Sequence, residues 1–67
     1  MSTHTERRLR REKLAASVRE VAQIMQVSPR YLLDLERGYR RWSADLLERH
    51  DDALAAIAKK NPALGKA

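Results

Sequence analysis

The sequence predicts an all-α fold, a compact domain of four to five helices. Apolar residues recur at helical spacing in several short segments, and no segment shows the alternation of a half-buried strand. Recognisable helix starts and stops separate these segments. With 67 residues and a small core, the chain is expected to be a single domain over residues 1–67.

The first helix is expected over residues 6–16, which are rich in Arg, Lys, Glu, Leu and Ala. Its apolar face is thin and consists of Leu9, Leu14 and Ala16. Residues 1–5 show no periodicity and are expected to be frayed.

The second helix is expected over residues 18–26. Ser17 is expected to cap it, with Glu20 reaching back three residues in a capping box. One stripe of this helix is apolar and is predicted to be buried: Val21, Ala22 and Met25.

The third helix is expected over residues 29–37, after a very short connection. Ser28 is the predicted cap, Pro29 occupies the first helical position, and Gly38 closes the helix. Its inward face is predicted to be Tyr31, Leu32 and Leu35. Two helices joined by so tight a turn indicate a helix-turn-helix over residues 18–37.

A basic, aromatic loop at residues 39–42 precedes the fourth helix. Ser43 is expected to cap this helix, and Asp45 suits the dipole of its first turn. Its apolar stripe is Leu46, Leu47, His50, Leu54 and Ile57, and the pattern allows one rod or two pieces. Asn61–Pro62 should stop it, and residues 61–67 are expected to be frayed.

The net charge of +5 and the pI of about 10.2 favour an anionic partner, nucleic acid first. Residues 28–42 carry four basic and two acidic side chains, whereas residues 43–58 carry one basic and four acidic. The fourth helix is therefore expected to face away from a polyanion.

The absence of Cys excludes disulfides and Cys-based zinc sites. No apolar run reaches membrane-spanning length, and no apolar signal-peptide core follows the N-terminus. We expect a soluble protein in the cytoplasm of a bacterial or phage-infected cell, associated with the nucleoid.

The outer face of the third helix carries Arg30, Leu33, Asp34 and Arg37. One interpretation is a solvated surface with an Arg30–Asp34 ion pair. The caps, the tight turn and the basic flanks together favour contact with DNA.

This stretch resembles the Cro/repressor helix-turn-helix family, also called XRE-like, and so implies a lambda-repressor-like fold over residues 9–57. The matching residues are Val21-Ala22, Val27-Ser28, Tyr31-Leu32 and Leu35-Glu36-Arg37-Gly38. The family usually has Gly where this chain has Gln26, which would have to adopt a left-handed conformation at a cost.

The resemblance implies that Ser28, Arg30 and Asp34 read base edges or anchor the helix start. Arg30 is expected to bind guanine, and Leu33 to touch a thymine methyl group. Asp34 would accept a hydrogen bond from cytosine or, in the interpretation we favour, orient the Arg30 side chain.

Expected contacts to the DNA backbone lie on three elements. Arg11 matches a family arginine of the first helix and is expected to pair with Glu36 and to help hold a phosphate, with Arg10 or Arg8 as substitutes if that helix shifts its register. For Arg40 and Arg41, the alternatives are contact with the minor groove or simple solvation. For Tyr39, the alternative is that it shields the loop. The candidates are Ser17, Arg19, Gln23, Arg37, Tyr39, Arg40, Arg41 and Arg11.

The expected function is that of a transcriptional repressor that binds an inverted-repeat operator on double-stranded DNA as a homodimer. The resemblance extends to compact phage and plasmid regulators, and to controllers of restriction–modification genes and anti-CRISPR operons. The expected dimer surface is Leu47, Leu54, Ile57 and Trp42, with base stacking as the alternative for Trp42. The competing functions are a helical protein-interaction module, antitoxin-like or adaptor, and a DNA-bending recombination accessory protein.

Chemistry beyond binding is not expected. His50, Asp51 and Asp52 are metal-ligand types, but consecutive helical residues diverge and do not converge on one ion. No nucleophile–base arrangement or Gly-rich phosphate loop is present. We therefore expect no enzyme activity, cofactor, metal or small-molecule ligand.

Overall fold

The computed structural model describes residues 2–60, which form four helices and no strand. These are α1 (Thr3–Lys13), α2 (Val18–Met25), α3 (Pro29–Arg37) and α4 (Ala44–Lys60). α3 packs against α1 and α2, and α4 packs against α2. The predicted all-α architecture is confirmed for this part of the chain.

Both ends of α1 differ from the prediction. The helix begins at Thr3, so residues 3–5 are helical, and it ends at Lys13. Ser2 takes the cap position through its backbone, its carbonyl accepting from the Glu6 amide at 3.1 Å. The helix stops early because Ala15 adopts a left-handed backbone with φ of 55°.

The expected cap of α2 is confirmed, because Ser17 Oγ accepts a hydrogen bond from the Glu20 amide at 3.0 Å. The helix ends at Met25, one residue before the predicted end. Gln26 has φ of 62°, the left-handed conformation expected at this position of the turn. The Val27 amide then donates to the Ala22 carbonyl at 3.0 Å and closes the turn.

The bounds and caps of α3 agree with the prediction. Ser28 Oγ accepts from the Tyr31 amide at 3.1 Å, and Pro29 occupies the first turn. Gly38 has φ of 84°, and the Tyr39 amide donates to the Asp34 carbonyl at 2.9 Å. This hydrogen bond turns the chain back over the end of α3.

α4 is one continuous helix. Ser43 Oγ accepts from the Leu46 amide at 3.2 Å, as its predicted capping role requires. The predicted stop at Asn61–Pro62 and the frayed residues 61–67 lie outside the described residues.

The core forms between α2, α3 and α4. It contains every predicted apolar residue of α2 and includes two residues assigned above to a dimer surface, Leu54 and Ile57. These are only 8% and 2% exposed, so that assignment is wrong for both. Helical spacing correctly placed Leu54 and Ile57 on an apolar face, but that face packs against the core of the same chain and not against a second copy. The buried apolar residues are Ala16, Val21, Ala22, Met25, Leu32, Leu35, Ala53, Leu54 and Ile57.

Trp42 is half-buried and has a structural role. Its Nε1 donates to the Leu35 carbonyl at 3.0 Å, and its ring meets the His50 ring edge-on with centroids 5.0 Å apart. Trp42 therefore connects the loop after α3 to α4. Of the four residues expected at a dimer surface, Leu47 is also half-buried.

Candidate nucleic-acid interface

The outer face of α3 is strongly basic. The side chain of Arg30 is 84% exposed, and Arg37 is exposed at the end of the helix. Leu33 is half-buried and therefore faces outward only in part. Because Leu32 and Leu35 are fully buried on the opposite side, the orientation of Arg30 follows from the packing of the helix.

Asp34 lies between two arginines on this face. Its Oδ1 is 3.7 Å from Arg30 Nε, which is the expected ion pair, and its Oδ2 is 3.7 Å from Arg40 Nε. The Arg40 guanidinium also covers the Tyr31 ring, with Cζ 5.1 Å from the ring centroid. Helical spacing predicted the pair with Arg30 but not the one with Arg40, because the second contact depends on the chain reversal at Gly38.

Glu36 and Arg11 form the expected pair between α3 and α1. Arg11 Nε and Nη2 donate to the two Glu36 carboxylate oxygens at 2.7 and 3.0 Å, and Nη1 donates to the Ala16 carbonyl at 2.8 Å. Glu36 is buried and Arg11 nearly so. The structure thus directs Arg11 towards Glu36, and its expected contact with a phosphate stays a prediction.

The candidates on α2 line a groove beside α4. Ser17, Arg19 and Gln23 are exposed there, together with Lys60 at the end of α4. The Ser17 hydroxyl oxygen accepts from its own helix, which leaves its proton free to donate. Ile24, an exposed apolar side chain, lies in the same groove.

The candidates after α3 surround its C-terminal end. Tyr39, Arg40 and Arg41 are exposed, and the two arginines line a shallow pocket with residues of α1, α4 and the loop. His4 lies against Gly38, where a Cβ atom would approach His4 Cε1 to 2.9 Å. This contact could not be predicted, because residues 1–5 lack periodicity and were expected to be frayed.

His50 is buried beside α1. Its Nδ1 is 3.4 Å from Arg7 Nη1, and Arg7 also pairs with Asp51. Its Nε2 has no hydrogen-bond partner among residues 2–60. Burial, together with the Arg7 guanidinium, lowers the pKa of His50 from 6.5 to about 4. The imidazole is therefore neutral at pH 7, as a packed core histidine should be.

Other kinds of site find no support within the described residues 2–60. No three His, Cys, Asp or Glu side chains lie close enough together there to hold a metal ion. No helix in this part of the chain is both long and apolar enough to cross a bilayer.

No protein-family model, curated protein or solved structure matches this chain. Its function has to be inferred from the side chains described above.

Proposed function

We propose that this protein is a sequence-specific regulator of transcription that binds double-stranded DNA, most simply a repressor acting as a homodimer at an inverted-repeat operator. The observation that carries this proposal is the geometry of α3. The helix follows a tight turn, buries Leu32 and Leu35, and exposes Arg30 and Arg37 on its opposite side.

An exposed arginine near the start of a helix is well suited to reading a base in the major groove. Arg30 is the second residue of α3, its side chain is 84% exposed, and its Nε is 3.7 Å from Asp34 Oδ1. A guanidinium exposed in this way can present two N–H donors to one base. Two such donors match the O6 and N7 acceptors of guanine, a contact that favours guanine by about 1–3 kcal/mol. Ser28 and Leu33 flank Arg30 and would make the remaining base contacts.

Exposed basic and polar side chains on either side of α3 would hold the phosphate backbone. On α2, these are Ser17, Arg19 and Gln23, near the helix start where amide groups attract an anion. After α3, they are Arg37, Tyr39, Arg40 and Arg41. Acidic side chains are concentrated on α4, so the charge distribution favours binding through the α2–α3 side.

A homodimer is part of the proposal because one recognition helix reads only a few base pairs. Two copies related by a twofold axis would read an inverted repeat with half-sites about one helical turn apart. Leu54 and Ile57 cannot form the contact between copies, because they are buried within one chain. The half-buried Leu47, next to Trp42, remains as an apolar side chain for it. A bound dimer would block a promoter, and we place this activity at the nucleoid in the cytoplasm.

Selection of bound sequences from a random duplex pool tests the proposal, followed by titration of the selected duplex at two salt concentrations. We expect a symmetric site and an affinity that falls steeply with salt. Selection that enriches no sequence, with weak binding and strong bending of every duplex, would instead indicate an architectural protein. Indifference to all duplexes at low salt would eliminate DNA binding.

A further inference from the structure

The surface that connects α3 to the following loop contains an unusual set of four side chains. Asp34 lies between Arg30 and Arg40, and Arg40 stacks on Tyr31. The side chain of Asp34 is only 20% exposed, although it lies on the same helix face as Arg30, which is 84% exposed. A carboxylate in this position repels phosphate, so its presence on a DNA-binding face needs an explanation.

The contacts of Asp34 explain its presence on this face. Asp34 Oδ1 pairs with Arg30 and Asp34 Oδ2 pairs with Arg40, each with a closest approach of 3.7 Å to Nε, so one carboxylate meets two guanidinium groups through different oxygens. Tyr31 restrains Arg40 from below through its ring. The carboxylate thus lies where it can hold two donor groups together, one from the helix and one from the loop.

We propose that Asp34 is a positioning residue for DNA specificity, which holds Arg30 and Arg40 as one pair of donors directed at adjacent acceptors on the DNA. This proposal rests on the proposed DNA-binding function and specifies how its site discriminates. At the correct site, Arg30 binds its base and Arg40 a neighbouring phosphate while both remain paired with Asp34. On other sequences the fixed arginines do not meet their acceptors, and the negative charge of Asp34 weakens binding to phosphates alone.

In this role, Asp34 weakens binding to random DNA and strengthens binding to the correct site. The three charges of Arg30, Asp34 and Arg40 sum to +1, and neutralising Asp34 raises the sum to +2. Asp34→Asn should therefore strengthen binding to random duplex severalfold and steepen its salt dependence by about one unit in the log–log slope. The same substitution should weaken binding to the selected site roughly tenfold, because Arg30 and Arg40 lose their fixed geometry.

The experiment compares wild type, Asp34→Asn and Asp52→Asn by fluorescence anisotropy on the selected duplex and on random duplex. Asp52 is an exposed residue of α4, so its variant reports the same change in net charge away from α3. Opposite shifts for the two duplexes with Asp34→Asn, and nearly none with Asp52→Asn, are the expected result. Equal shifts on both duplexes, or no shift on either, would overturn the proposal because Asp34 would then act as a charge alone or not at all.

A double-mutant cycle keeps the test independent of any effect of Asp34→Asn on folding. Arg40→Gln should weaken binding to the selected site more in wild type than in the Asp34→Asn background, because only wild type holds Arg40 in place. Additive losses would overturn the pairing. If wild-type protein selects no sequence, the proposed function fails first; if it selects a site and the cycle is additive, only the role of Asp34 fails.

Discussion

Helix α1 and the α2–α3 pair are held in the fold by different forces. α1 buries none of its residues, whereas α2 and α3 bury five apolar side chains and Glu36. Polar contacts attach α1 instead: Arg11 to Glu36, and Arg7 to Asp51. The proposed recognition helix α3 is therefore supported by apolar packing on the side of α2 and by an ion pair on the side of α1.

The ion pair and the apolar packing should respond differently when a side chain is removed. A buried ion pair is costly to break, because removing one partner leaves a charge without compensation. Packing against α2 depends instead on the volume of buried side chains.

Replacing Glu36 with Ala should reduce the free energy of unfolding by about 3–5 kcal/mol, because Arg11 would stay nearly buried without its partner. Urea denaturation measures this change. Glu12→Ala is the matched control on α1, where Glu12 meets Arg8 at 4.0 Å in an exposed pair, and it should cost less than about 1 kcal/mol. Similar small losses in both variants would show that the Arg11–Glu36 pair does not hold α1.

Replacing Leu32 with Ala should cost about 2–5 kcal/mol, since the side chain is fully buried. Leu9→Ala removes the same atoms from α1, where Leu9 is exposed, and should cost much less. The midpoints of thermal unfolding give the comparison. Equal losses would mean that α1 contributes to the apolar core after all.

Acidification should destabilise the protein through His50. The pKa of His50 is about 4 in the folded protein and 6.5 in the unfolded chain, so below pH 6.5 the unfolded chain binds a proton that the folded protein does not. Stability is therefore complete above pH 6.5 and should fall by about 2 kcal/mol between pH 7 and pH 5. His50→Leu should show a much smaller change over this interval, and a parallel decline in both proteins would assign the effect to other groups.

Replacing Gln26 with Gly should stabilise the protein by about 1 kcal/mol, since φ of 62° is unfavourable for a residue with a Cβ atom. Gln23→Gly, within α2, should destabilise by about 1 kcal/mol. Changes of opposite sign in chemical denaturation are expected. Loss of stability in both variants would mean that Gln26 makes contacts that outweigh its backbone strain.

The sequence was sufficient to predict the elements whose ends carry side-chain caps. α3 begins and ends as expected because Ser28, Pro29 and Gly38 mark it. α1 carries no such marks: Ser2 caps it without a side-chain hydrogen bond, and an alanine adopts the left-handed conformation at its end. Its bounds were consequently misplaced.

The site could be predicted only where its contacts lie within one helix or match the family resemblance. The Arg30–Asp34 pair follows from i,i+4 spacing, and the Glu36–Arg11 pair from the resemblance. The contacts of Arg40 depend on how the chain leaves α3, which no spacing in the sequence determines. Helical spacing likewise could not separate a core stripe from a dimer surface at Leu54 and Ile57.

Whether α3 reads DNA through Arg30 is tested by measuring the binding of two variants, one in α3 and one in α1, to a panel of single-base variants of the selected site. Arg30→Ala should lose discrimination at one base pair, by about 1–3 kcal/mol, and keep it at the others. Arg8→Ala removes the same charge from the exposed surface of α1 and should leave all ratios between variants unchanged. Unchanged ratios with Arg30→Ala as well would contradict the claim that α3 reads DNA through Arg30.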